Sequence, residues 1–195
     1  NGQIVYDGSW NLLRTVAMVP DEVRALVDYC DERSLPLWLV SEQRSRFNYH
    51  FNDRVPVVMA EIHTEIPERC DLHTMLQEPV VKAVMFLTAQ EVREGPLSFM
   101  PHARSTQWFI HGQDIIPAEG GKLPAMRFMA EANGWTPDEL MAFGDSENDN
   151  EMLRYAGTGV AMGNALEETK AASDYVTDDC DDEGVAHALA HFALI

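Results

Sequence analysis

The chain has 195 residues, 46% of them hydrophobic, and sets 32 acidic side chains against 14 Lys and Arg for a formal net charge of −18. That length suits one or two packed domains, and so acidic a balance argues against an unassisted nucleic-acid or anionic-membrane surface, since both need clustered cations. No apolar run approaches the ~18 residues of a membrane span, the N-terminus does not read as a signal, and the scattered Cys30, Cys70 and Cys180 read as reduced thiols of a cytoplasmic protein.

In chain order, residues 3–7 and 12–18 predict a β-hairpin joined through Asp7-Gly8. Residues 20–33 predict a helix with Val23, Leu26, Val27 and Cys30 on one face. Strands are expected at 37–40, 80–88, 107–111 and 114–117, while 41–75 shows no clear period. From there the text changes. Residues 122–133 predict a helix with Leu123, Met126, Met129 and Ala130 on one face and Gly134 as its stop. Thr136-Pro137-Asp138-Glu139 is a capping box ahead of a strand at 140–143. A helix at 147–155, a strand at 158–162, cap logic in Asn164-Ala165-Leu166-Glu167, a strand at 175–177 and a helix at 184–192 follow. Such alternation predicts a parallel sheet covered on both faces.

The most informative stretch is Gly144-Asp145-Ser146-Glu147-Asn148-Asp149. A short apolar strand delivers an acidic tip, and open α/β sheets place their ligands at strand carboxyl ends. Carboxylates there suit Mg²⁺, which takes one or two of them and leaves its other positions to water and phosphate. A solvated acidic loop at a helix N-terminus is the bland alternative. An EF-hand fails on two positions, because the sixth residue is Asn150 rather than Gly and the twelfth is Ala156 rather than Glu.

Gly-Asp-x-x-Asn-Asp after a strand resembles the fourth motif of the haloacid dehalogenase (HAD) superfamily. The downstream text, Tyr155-Ala156-Gly157-Thr158-Gly159-Val160-Ala161-Met162-Gly163-Asn164-Ala165, then Ala171-Ala172-Ser173-Asp174-Tyr175-Val176-Thr177 and Asp182-Glu183-Gly184-Val185-Ala186, resembles the Cof-type sugar-phosphate phosphatase branch. The close match covers residues 112–195. The resemblance implies an α/β fold: residues 112–195 as the C-terminal half of a Rossmann-like core, and 1–111 as an inserted α+β cap of the C2 type, trimmed between Thr88 and Leu97.

The resemblance also implies chemistry. Family members hydrolyse phosphomonoesters through an aspartyl-phosphate, which splits one hard displacement into two easier ones. By this match Asp145 is a Mg²⁺ ligand, and Asn148 and Asp149 complete and order the metal shell. By the same match Lys122 and Asn148 are the substrate-binding residues, with Lys122 on the phosphate, and Lys122, Asp145 and Asp149 form the catalytic set. The family more often writes Lys-Gly where this chain has Lys122-Leu123. A small phosphate ester is the implied partner, with no nucleic acid and no membrane. Arg44, Arg46 and His50 are candidates for a polar substrate contact from the cap. The acidic run Asp178-Asp179-Cys180-Asp181-Asp182-Glu183 reads as a solvated loop.

One family signature is missing. The nucleophile lies in Asp-x-Asp directly after the first core strand, and no apolar strand of this chain runs into that pattern; Asp71-Leu72-His73-Thr74 is the nearest imitation. The chain thus resembles a member without its N-terminal nucleophile segment and is expected to be inactive alone. Two alternatives stay open: a non-catalytic HAD-like binding protein, and a phosphomutase.

Overall fold

The computed structural model describes residues 1–195. The chain divides into two compact units, Gln3–Gly121 and a second made of Asn1–Gly2 with Lys122–Ile195.

The first unit opens with an antiparallel hairpin, β1 (Ile4–Tyr6) and β2 (Leu12–Thr15). Its turn is closed by Asp7, whose carboxylate accepts from the backbone N–H groups of Ser9 and Asn11 at 2.8 Å each. Helix α1 (Pro20–Glu32) begins with Pro at its first position, where a missing N–H costs nothing, and buries Val23, Leu26, Val27 and Cys30 as expected. The strands β3 (Leu37–Ser41), β4 (Ser45–Phe47), β5 (Val80–Met85), β6 (Ala103–Phe109) and β7 (Gly112–Pro117) form an antiparallel sheet of order β4-β3-β5-β7-β6. One face packs Leu37, Leu39, Ala83, Met85 and Ile115 against the apolar stripe of α1. Leu39 is fully buried, so Leu39→Ala would cost about 2–5 kcal/mol through lost transfer energy and the cavity left behind.

Residues 41–75, aperiodic in sequence, supply β4, a helix α2 (Arg54–Glu61) and the start of a 3-10 turn, Leu72–Gln77. Their signal is weak because α2 has only two turns and buries Val55, Val58 and Met59 alone. Between Thr88 and Leu97 a short helix, α3 (Ala89–Glu94), forms on a capping box between Thr88 and Glu91. The division of the chain falls after Gly121 rather than at 111/112. The reason is pairing: Gly112–Pro117 is bonded along its length to β6 and also to β5, so it belongs to this sheet.

The second unit contains α4 (Lys122–Asn133), β8 (Met141–Gly144), α5 (Asn150–Tyr155), β9 (Thr158–Ala161), α6 (Glu167–Lys170), β10 (Tyr175–Val176) and α7 (Gly184–His191). The three strands form a parallel sheet in the order β10-β9-β8. Helix α4 has the expected bounds and ends at Gly134, whose φ of +72° a side-chain-bearing residue adopts with difficulty. Only its Ala130 is fully buried, and Met126 is half-buried against Ala142, Leu153 and Ala156. Two expectations need correction. The predicted helix at 147–155 begins as a 3-10 turn, Glu147–Asp149, before α5. Asn164 does not cap α6; its Oδ1 accepts from the backbone N–H of Cys180 at 3.3 Å, and Leu166 is the capping position without a side-chain bond. No helix is long and apolar enough to cross a membrane.

Candidate active site

The site is built at the carboxyl end of β8. The strand ends at Gly144, and the chain turns through Asp145 and Ser146 into the 3-10 turn. Asp149, 1% exposed, directs its carboxylate back over this bend. One oxygen, Oδ2, accepts from the backbone N–H of Asp145 at 3.1 Å and of Ser146 at 3.2 Å. The other, Oδ1, accepts from Lys122 Nζ at 2.5 Å. The buried carboxylate is thus satisfied three times over, as a buried charge must be. This fold-back tightens the first turn to 3-10 geometry, which is why the helical text of 147–155 starts late.

Neighbouring segments pin the bend. Met162 N–H donates to the Gly144 carbonyl at 2.9 Å, and Leu166 N–H donates to the Asp145 carbonyl at 3.0 Å. The Asp145 side chain is exposed and accepts no side-chain hydrogen bond, so its carboxylate is open to a cation or to water. Asn148 donates through Nδ2 to Asn1 Oδ1 at 2.8 Å, a bond that does not use its own side-chain carbonyl oxygen. Lys122 stands at the first residue of α4 with its side chain 32% exposed. Its ammonium is therefore fixed on one side by Asp149 and open on the other.

The structure thus places Asp145, Asn148 and Asp149 on one bend, and Lys122 reaches it from the start of α4. Sequence reasoning passed over three further residues. Ser146 makes a capping box with Asp149 around the 3-10 turn, and the Ser-x-x-Asp spacing was the signal that could have found it. Asn150 and Thr169 are buried near this bend in sequence and by the packing of α6 on the 3-10 turn, yet Asn150 Oδ1 and Thr169 Oγ1 have no partner. No sequence pattern marks them.

The remaining candidates are engaged elsewhere. Arg44 pairs with Glu78 at 2.6 Å, Arg46 with Glu68 at 3.0 Å and His50 with Asp31 at 3.0 Å. In the acidic run, Asp179 accepts from the backbone N–H of Asp181 at 3.1 Å, and that bond holds its carboxyl below the ordinary range. Cys180 donates to Asp179 at 3.3 Å, and its thiol is raised chiefly by that bond. Asp179-Cys180-Asp181 has Asp-x-Asp spacing, but it lies in an exposed 3-10 turn after β10 rather than at the end of a buried core strand.

Comparison with known proteins supplies the frame for this geometry. The family profile of the haloacid dehalogenase-like hydrolases matches residues 1–189. The putative phosphatase YkrA of Bacillus subtilis is 29% identical over 89% of this chain and 66% of its own length. The 5-amino-6-(5-phospho-D-ribitylamino)uracil phosphatase YcsE of the same organism is 26% identical over 100% of this chain and 71% of its own. Among solved structures, a HAD subclass IIB sugar phosphatase superposes with a TM-score of 0.87 at 28% identity, covering 100% of this chain and 74% of its own. A HAD phosphatase from Bacteroides thetaiotaomicron superposes at 0.89 with 25% identity, over 100% and 72%. The chain therefore spans about two thirds of YkrA and close to three quarters of these structures. With its α/β core and cap, the chain belongs to the haloacid dehalogenase-like hydrolases and is similar in fold to a subclass IIB member, as its Cof-type text led one to expect.

Proposed function

We propose that the chain forms the cap and part of the core of a Mg²⁺-dependent phosphatase that hydrolyses a sugar phosphate or a similar small phosphomonoester in the cytoplasm. The observation that carries this reading is the Lys122–Asp149–Asp145 arrangement at the carboxyl end of β8: a buried carboxylate orders an ammonium while a second carboxylate stays open beside it. The structural and sequence relatives point the same way, since those described above are phosphatases.

The donor set fits Mg²⁺. Asp145 offers an unengaged carboxylate oxygen and Asn148 a carbonyl oxygen, and a hard cation that keeps several waters needs no more than one or two carboxylates. Asp149 serves the site indirectly, because Lys122 and two backbone N–H groups already occupy its oxygens. Bound at Asp145, Mg²⁺ would supply Lewis-acid stabilisation of charge on a phosphoryl oxygen. Lys122 would hold the phosphate by charge and hydrogen bonds, aimed by Asp149 so that little reorganisation is needed as charge develops. The attacking carboxylate of the family's aspartyl-phosphate chemistry is not among these residues.

The test is phosphate release from a panel of sugar phosphates by the protein expressed from the longest reading frame that contains these residues. Release that requires Mg²⁺ and collapses in Asp145→Asn and Lys122→Ala supports the reading. A frame that encodes Asp-x-Asp yet releases no phosphate from any panel member would overturn it.

A further inference from the structure

Asp71-Leu72-His73-Thr74, the nearest imitation of the Asp-x-Asp signature, plays a different part inside the cap. Asp71 stands at the N-cap of the 3-10 turn Leu72–Gln77 and accepts from the backbone N–H of His73 at 2.9 Å. The His73 ring then lies between two carboxylates on different elements. Its Nδ1 is 2.9 Å from Asp71 Oδ1, and its Nε2 is 2.9 Å from Oδ1 of Asp28 on α1, 45 residues away in the chain. An ionised carboxylate can only accept, and a neutral imidazole carries a single N–H. Both contacts are hydrogen bonds together only when the ring is an imidazolium. The two carboxylates accordingly raise the His73 pKa above the ordinary 6.5, Asp28 first and Asp71 second.

A neutral ring keeps one bond and turns a lone pair toward the other carboxylate. Asp71 is held from two sides, by the ring and by the backbone N–H of the same residue, so this local bond is the one retained and Asp28 is released. A neighbouring pair supplies the contrast. His50 Nε2 meets Asp31 Oδ1 at 3.0 Å, three residues further along α1, and a neutral imidazole satisfies that single contact. Asp28 and Asp31, neighbours on one helix face, thus each take a histidine, and only the His73 contact needs the charge. The other charged groups on the elements packed here are few. On α1, Arg24 lies one turn before Asp28, and Glu32 pairs with Arg33. Beside β4, Arg44 pairs with Glu78 and Arg46 with Glu68, while β3 carries no charge. Tyr49 and Cys70 line, with His73, a cavity of about 440 Å³. The ring is 39% exposed, so protons reach it from solvent without unfolding.

We propose that His73 is a proton-operated strut: as an imidazolium it ties the turn Leu72–Gln77 to α1 through Asp28, and on losing its proton it keeps Asp71 and lets Asp28 go. The turn seats Leu72 and Met75 in the cap's core, so the strut steadies that edge of the cap when closed. A folded-state value raised above 6.5 gives stabilisation that is complete below 6.5 and lost as pH rises through the folded value. The inference concerns the cap alone and does not depend on the phosphatase reading.

The test is hydrogen exchange, followed by NMR from about pH 5.5 to about pH 8.5, at the backbone N–H groups of Thr74 and Glu78, whose bonds to the Asp71 and Met75 carbonyls close the turn. Parent and variants are compared at each pH, so the intrinsic pH dependence of exchange cancels. Protection in the parent should fall about two- to fivefold across the range, the size of an exposed ion pair. His73→Gln should show the lower protection at every pH, and His50→Gln should keep the fall. In parallel, Asp28→Asn should lower the midpoint of the His73 ring titration followed by nitrogen NMR. All three side chains are partly exposed, so the variants should fold. No fall in the parent, a fall of equal size in His73→Gln, loss of the fall in His50→Gln, or an unmoved midpoint in Asp28→Asn overturns the proposal.

Discussion

Asp149 packs so closely over Gly144 that a β-carbon at Gly144 would collide with the Asp149 side chain. The glycine of the Gly-Asp-x-x-Asn-Asp run is therefore required by the carboxylate five residues on, not by its own backbone angles. Gly144→Ala should destabilise the protein by about 1–3 kcal/mol, the usual cost of overpacking, and push Asp149 off Lys122. Urea unfolding measures the first effect, and a crystal structure of the variant the second. An Ala variant as stable as the parent with the Lys122–Asp149 bond intact would contradict this reading.

Asp149 itself holds three donors. Asp149→Ala leaves the N–H groups of Asp145 and Ser146 and the Lys122 ammonium without their acceptor. With Lys122 partly exposed and able to reach water, the loss should be about 2–3 kcal/mol rather than the full cost of a buried orphan charge. Lys122→Met strands only one carboxylate oxygen and should cost less. Reversal of that order in urea midpoints would mean that Asp149 is not the organiser of the bend.

Metal binding by this chain should be weak. Asp145 offers the unengaged carboxylate at the carboxyl end of β8, and Mg²⁺ gives up its water reluctantly for so few protein ligands. Calorimetry is expected to show no tight Mg²⁺ binding. Submicromolar affinity that disappears in Asp145→Ala would show a stronger ligand set than these residues provide.

Acid should loosen the cap through Glu91. Its carboxyl is lowered from 4.5 to about 2, first by the Arg54 guanidinium and then by the Thr88 backbone and hydroxyl donors. A lowered folded-state value stabilises above the ordinary pKa and loses that contribution as pH falls through the folded one. The stability gap between the parent and Glu91→Gln should thus be constant above pH 4.5 and shrink as pH falls toward 2. Both partners are partly exposed, so the gap will be modest and reduced by salt. Denaturant unfolding across that range checks it; a gap that widens in acid would reverse the assignment.

The second unit was legible in the sequence because its grammar is local. Caps, stops and short apolar runs announce α4, β8 and β9 almost residue by residue, and the parallel pairing of β8, β9 and β10 follows from their alternation with helices. The bend at Asp145 was legible as a candidate site, but not the hydrogen bonding within it. That depends on Asp149 turning back to Lys122, a contact between residues 27 apart in the chain. The cap was harder to read. Its β4 and α2 are too short to show a period, and the place of β7 in the sheet is set by long-range pairing with β5 and β6.

The most direct measurement is hydrolysis of p-nitrophenyl phosphate by this chain alone, side by side with the same chain extended by an upstream segment that carries Asp-x-Asp. Lys122 and Asp145 can hold and neutralise a phosphate but supply no attacking atom. The short chain should give no Mg²⁺-dependent turnover, and the longer protein should give turnover that falls sharply in Asp145→Asn. Robust Mg²⁺-dependent turnover by the short chain, lost in its own Asp145→Asn variant, would contradict the account and place a nucleophile among these residues.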